Sequence, residues 1–162
     1  MGDSCDLFVL NKQYPGGGKI WQMLGIDTSE SDYDDILLVA NCFARMGHEV
    51  KILHAIHYKD SLYRKVFGEL IGTRYYRKCP DLLVDGDFYE YESFTSEDSK
   101  NAFRNMLHNG LMQSNNLVIR HCGLTDGTMM RRIISKREKG VPISIVWIFD
   151  GNGLRLLYKT EG

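Results

Sequence analysis

The dipeptide Asp85-Gly86 stands between two runs of strand-forming residues in PDLLVDGDFYEYE, and it constrains the fold more than any other feature of the chain. Asp-Gly is a favoured two-residue hairpin turn, so Val84 is expected opposite Asp87, Leu83 opposite Phe88, Leu82 opposite Tyr89 and Asp81 opposite Glu90. Side chains directly across an antiparallel pair share a face, with Cβ atoms about 4.5 to 5.5 Å apart, and alternation adds Glu92 to the face of Glu90. Three carboxylates, Asp81, Glu90 and Glu92, are therefore expected together. Like charges so placed repel unless a cation, a shared proton or abundant water relieves them. A divalent ion is the economical answer: magnesium or manganese takes oxygen ligands, keeps several waters, activates one of them and neutralises a phosphate. The same residues also read as a hydrated acidic face with Asp81 at the start of its strand.

The rest of the chain supplies the setting. The first thirty residues are poorly patterned, with at most a short strand at Phe8 to Leu10 and a flexible turn at Tyr14 to Gly18. Gly16 to Lys19 (GGGK) suggests a phosphate loop, but the full GxxxxGK[ST] spacing is absent and Ile20 stands where Ser or Thr belongs, so a linker is the better reading. Ser29 to Asp32 offers caps for a helix that places Ile36, Leu37, Val39, Ala40, Phe43 and Ala44 on one face and ends at Gly47. Glu49 to Leu53 alternates as a strand. Beyond the hairpin, a helix capped at Ser96 to Asp98 runs to about Met112. A strand follows at Asn116 to Arg120, then a helix from Asp126. Ile143 to Phe149 and Leu154 to Tyr158 are strands joined by the turn Asp150 to Gly153. The expected fold is α/β, a single mixed sheet with helices packed on it. An irregular segment 1–30 precedes one domain, 31–162.

Between His57 and Cys79 the chain is locally basic and aromatic. Lys59, Arg64, Lys65, Arg74, Arg77 and Lys78 lie among Tyr58, Tyr63, Tyr75 and Tyr76, against only Asp60 and Glu69. Such residues neutralise phosphates and stack on bases. A solvated helix followed by a loop with inward-packed tyrosines accounts for them equally well. The overall net charge of −1 gives no general attraction to nucleic acid, so any attraction is local.

With 162 residues, 43% hydrophobic and 25% charged, the chain has the balance of one globular domain. It contains no apolar run of about 18 residues and no signal-like start, which points to a cytoplasmic protein without a membrane partner. Cys5, Cys42, Cys79 and Cys122 form no CxxC pair, which argues against a thiolate zinc site.

An acid-headed helix, a strand, an Asp preceded by Pro, a hairpin reaching E-x-K, a helix and a strand make up the core order of the PD-(D/E)xK, restriction-endonuclease-like nucleases. This chain resembles that order, with Pro80-Asp81 and Glu90-Tyr91-Glu92 in the motif places and an added C-terminal helix and hairpin. Over GHEVKILHAIH, PDLLVDGDFYEYESF and SKNAFRNMLHNGLMQSNNLVI it is similar to the C-terminal tRNA-nuclease domains of contact-dependent growth inhibition systems and related polymorphic toxins. The resemblance spans about residues 32–120. It implies metal ligands at Asp81 and Glu90, with Asp34 or Asp35 as a weaker third, and an immunity protein as partner. Glu92 replaces the motif lysine and supplies no positive charge. Lys100 is the natural substitute, with Arg104 one turn on. Gln113 matches a glutamine frequent at this helix end in the toxins.

The expectation is thus a metal-dependent phosphodiesterase acting on RNA rather than DNA, and on tRNA in particular. Asp81, Glu90, Glu92 and Lys100 would form its centre, with Mg or Mn as cofactor. Arg74, Tyr75, Arg77, Lys78, Arg104, Gln113, Arg131 and Arg132 would hold the nucleic acid. Two alternatives stand beside it. One is an inactive nuclease fold that only binds nucleic acid or protein. The other is a metal-independent ribonuclease of the barnase, EndoU, colicin or RelE type, for which His54, His57, His108 and His121 are the available acid–base groups.

Overall fold

The computed structural model describes residues 7–94 and 99–161, the side chains of Ser99 and Lys100 excepted. Its elements are β1 (Phe8–Gln13), β2 (Lys19–Met23), α1 (Tyr33–Arg45), β3 (Glu49–Ile52), α2 (Ser61–Phe67), β4 (Leu82–Val84), β5 (Asp87–Glu92), α3 (Ser99–Leu111), β6 (Asn116–Arg120), α4 (Asp126–Glu138), β7 (Ile145–Phe149) and β8 (Leu154–Lys159). The strands run in the order β1 to β8 as one mixed sheet, the α/β class expected from the sequence. The chain divides into two compact units, Met1–Phe88 and Tyr89–Gly162.

In the first unit, β1 and β2 form an antiparallel hairpin, β2 runs parallel to β3 through α1, and β3 is antiparallel to β4. The hairpin corrects the expectation of an irregular segment over residues 1–30. Its strands escape pattern reading because β1 buries almost nothing and β2 buries only Ile20 and Met23, which leaves no period of two to detect. The glycine run is a tight turn rather than a flexible linker or phosphate loop. Gly17 N–H donates to Tyr14 O at 3.0 Å and Tyr14 N–H to Gly18 O at 2.8 Å. Gly18 presses on the end of α1, where a Cβ would meet Ala44 O at 1.7 Å.

Helix α1 buries Val39, Ala40, Cys42, Phe43 and Ala44, each large apolar side chain contributing about 1.5 to 3 kcal/mol. It ends as expected at Gly47, whose φ is 97°. Gly47 N–H donates to Ala44 O and His48 N–H to Phe43 O, which satisfies the last carbonyls in a Schellman arrangement. A separate apolar cluster joins Met23, Leu53, Ile56, Tyr63, Phe67, Leu70 and Phe88. In it the Phe67 ring lies 5.2 Å from Tyr63 and 5.7 Å from Phe88. Asp60 caps α2 by accepting from Leu62 N–H.

In the second unit, β5, β6 and β7 are parallel, linked by α3 and α4, and β8 returns antiparallel to β7. Leu117, Ile119, Val146 and Ile148 form one core with Phe103, Met106 and Leu107 of α3 and Met129 and Ile133 of α4. Thr125 caps α4 by accepting from Thr128 N–H. Strand β6 has the bounds read from the sequence, whereas the expected cap of α3 at Ser96 to Asp98 lies outside the described residues. No helix among the described residues is long and apolar enough to cross a membrane.

Candidate functional site

The hairpin turn has the geometry its residues demand. Asp85 and Gly86 have φ of 47° and 90°, positive at both central positions, as a type I′ turn requires. Asp85 does more than turn. Its carboxylate lies 2.5 Å from His48 Nδ1 and accepts from Glu49 N–H at 2.8 Å, and these bonds, His48 first, hold it below the usual carboxylate range. The pairing fastens the turn to the start of β3, and no sequence spacing announces it.

Asp81 sits one residue before β4, after the buried Pro80. The β3–β4 ladder pairs Ile52 with Leu82, and Leu53 N–H extends it by donating to Asp81 O at 2.9 Å. The ladder stops there, and Asp81 lines a cavity of about 420 Å³ whose wall also includes Asp27, Glu30, Asp32, Tyr33, Ile36 and His54. Asp27 accepts from both Ser29 Oγ and Ser29 N–H, at 2.5 and 2.9 Å, which keeps its carboxyl below the ordinary range. Tyr33 is fixed by donating to Gln22 Oε1 at 2.7 Å. Asp32, the residue before α1, lines the cavity, whereas the expected third acids Asp34 and Asp35 do not appear in its wall.

His54 also lines this cavity. Its Nε2 lies 2.9 Å from Leu24 O and its Nδ1 3.0 Å from Ala55 O.

Glu90 and Glu92 belong to the second unit. Register pairs Glu90 with Leu117 and Glu92 with Ile119, so both carboxylates point to the sheet face that α3 and α4 cover. Both residues are half-buried. Glu92 is packed beneath α3: a Cβ at Gly110 would come within 3.1 Å of its Cγ. Asp81 thus lies in one unit and Glu90 in the other. The Lys100 side chain lies outside the described residues.

The remaining expected residues scatter. Arg104 is exposed on α3, and Gln113 follows the helix end, its N–H donating to Gly110 O. Arg131 is exposed and donates to Thr128 Oγ1 at 3.1 Å, and Arg132 is half-buried. In the first unit Tyr63 is buried and the Tyr75 hydroxyl is shut off from solvent, so these two tyrosines follow the inward reading. Burial raises the Tyr75 phenol above its usual range. Tyr58 and Tyr76 stay accessible beside Arg74, Arg77 and Lys78.

Set against known protein families, characterised proteins and solved structures, the chain matches none. Its chemistry is read from its residues. The sequence pointed to Asp81 through Pro80-Asp81, and it missed Asp27, Glu30 and Asp32, which fall in or beside a stretch read as irregular or merely capping. His54 appeared only as one of four histidines without a fixed partner.

Proposed function

We propose that the chain is a nuclease-type phosphodiesterase acting on RNA, with tRNA the first substrate to test, and that Asp81 is its central carboxylate. The observation that carries this reading is the position of Asp81: beyond the end of a β-ladder, on the wall of an acid-lined cavity of about 420 Å³ that also holds His54. Element order adds support. α1, β3, β4, β5, α3 and β6, with α2 inserted after β3, repeat the helix-strand-strand-strand-helix-strand core that the sequence resembles.

Carboxylate oxygens suit a hard divalent cation such as magnesium or manganese. Among the described residues no three His, Cys, Asp or Glu side chains gather to hold a metal by themselves. That is compatible with an ion held by one or two carboxylates, with waters and substrate phosphate completing its shell. Asp81 would hold it, with Asp32 of the same cavity as a companion. Such an ion supplies charge for the scissile phosphate and a more acidic water. His54 shares the cavity wall, its ring held between Leu24 O and Ala55 O.

Incubation with mixed tRNA, and separately with DNA, in magnesium, manganese or EDTA tests the reading. tRNA cleavage that EDTA abolishes and that Asp81→Ala lowers by about a hundredfold or more is the expected result. Absence of metal-dependent cleavage, or cleavage unchanged in Asp81→Ala, would sink it. A second reading, a binding module without turnover, is favoured by Glu92, which occupies the motif lysine's place and is packed against α3. Salt-sensitive RNA binding without cleavage, indifferent to Asp81→Ala, would select that reading.

A further inference from the structure

Arg77 has a φ of 78°, a left-handed conformation that glycine adopts freely and arginine only at a steric cost. The strain is held in place from the core. Arg77 N–H donates to the Tyr63 hydroxyl at 2.9 Å, and that hydroxyl donates to Lys78 O at 2.9 Å. Tyr63 itself is 1% exposed. This backbone turn carries the Arg77 guanidinium over Tyr58, 4.2 Å from the ring centroid and 5.7 Å from that of Tyr76.

Tyr58 is the hub of the group. The His57 ring is stacked on it at 4.7 Å, Tyr76 meets it edge-on at 6.0 Å, and Lys59 Nζ lies 5.9 Å from its centroid. Tyr58 also packs against the core of its unit, which anchors the array. His57 and Arg77 are exposed, so an imidazole and a guanidinium plane face solvent. Lys59 N–H donates to His57 Nδ1 at 3.1 Å, which leaves Nε2 as the ring's own donor. None of Lys59, Arg74, Arg77 or Lys78 forms an ion pair among the described residues.

We propose that this surface, His57 to Lys78, binds single-stranded nucleic acid. His57 and Arg77 stack on unpaired bases, and Lys59, Arg74 and Lys78 neutralise the flanking phosphates. Flat planes interleaved with cations outside ion pairs fit a strand whose bases are free to stack on protein, which a duplex withholds. The choice of RNA over DNA rests on the nuclease reading; the surface itself does not depend on cleavage. The conformation of Arg77 makes the test sharp, because Arg77→Gly relieves the backbone while removing the guanidinium, and Arg77→Asn keeps a residue tolerant of positive φ.

Fluorescence anisotropy with a labelled RNA single strand, the matching RNA duplex and a DNA single strand, all in EDTA, reads the surface without turnover. The single strand is expected to bind better than the duplex, with binding that weakens as salt rises. Arg77→Gly and Arg77→Asn are each expected to keep the thermal midpoint and to weaken single-strand binding about tenfold, and His57→Ala to weaken it several-fold. Equal binding of duplex, unchanged affinity in both folded Arg77 variants, or binding of an acidic peptide or anionic vesicles in preference to the strand would overturn the proposal. tRNA cleavage without single-strand preference removes the surface and leaves the nuclease reading standing, whereas single-strand preference without cleavage does the reverse.

Discussion

The two compact units share a construction and differ in what they leave open. Each joins parallel strands through a helix and adds antiparallel strands, β1 and β4 in the first unit and β8 in the second. In the second unit the carboxylates of Glu90 and Glu92 lie on a face packed by α3, beside Leu117 and Ile119, which are fully buried. In the first, Asp81 stands beyond the end of its ladder and lines a cavity. A carboxylate in mid-strand under a helix shares its face with packed apolar side chains, whereas Asp81 lines a cavity open to a ligand. The first unit also carries the accessible rings of Tyr58 and Tyr76 and the cations around them.

The largest test of this contrast is Gly18→Ala. A Cβ there would meet the Ala44 carbonyl oxygen at 1.7 Å, so β2 or α1 must move. A cost of about 3 kcal/mol or more is expected, read as a fall in the denaturation midpoint. Faster amide exchange should appear at Val39 to Ala44, the stretch of α1 that faces the contact. Gly16→Ala, which has nothing within 4 Å of its Cβ position, is the control and should change stability little. A Gly18→Ala protein as stable as its parent would show that the turn is loose, as its composition alone suggests.

Glycine runs illustrate what was and was not legible. Asp85-Gly86 was readable because a two-residue turn is a local property of its own residues and of the apolar runs beside it. The same holds for α1, whose apolar spacing and terminal Gly47 mark its face and end. Gly18 was not readable, since its role is set by a carbonyl 26 positions further along the chain. The cavity was hidden for the same reason: Asp27, Glu30 and Asp32 share a wall with Asp81, about fifty positions further along the chain, only once the chain is folded. Tyr63 and Phe67 are four apart on α2, a spacing that marks the inward ring. Nothing of that kind distinguishes Tyr58, or gives Arg77 its left-handed backbone.

A smaller effect is expected at Gly110, the close contact of the second unit. Its Cβ position lies 2.9 Å from Leu117 Cδ2 and 3.1 Å from Glu92 Cγ, both on side chains that can rotate, whereas Gly18 faces rigid backbone. Gly110→Ala should therefore cost about 1 to 2 kcal/mol by urea denaturation, the helix preference of alanine offsetting part of the crowding. Adding Glu92→Ala should recover much of that loss. Failure of the double variant to recover stability would mean that Leu117 alone limits the approach of α3, and would weaken the assignment of Glu92 to packing.

The smallest effect separates charge from turn geometry at the hairpin. Asparagine tolerates the positive φ of Asp85 and keeps an oxygen for Glu49 N–H, so Asp85→Asn removes the negative charge facing His48 with little backbone cost. Both side chains are substantially exposed, at 38% for His48 and 51% for Asp85, so the loss should be only about 0.5 kcal/mol at neutral pH and low salt. Because folding lowers the Asp85 carboxyl below its ordinary value, the contribution is present above the unfolded-state value and fades as pH falls through the folded one. Parent and variant should therefore differ near neutrality and converge in acid. If the difference instead persists unchanged at low pH, the turn depends on the shape of Asp85 and not on its charge. The first unit would then hold its hairpin by local geometry alone, as the second holds its helix at Gly110.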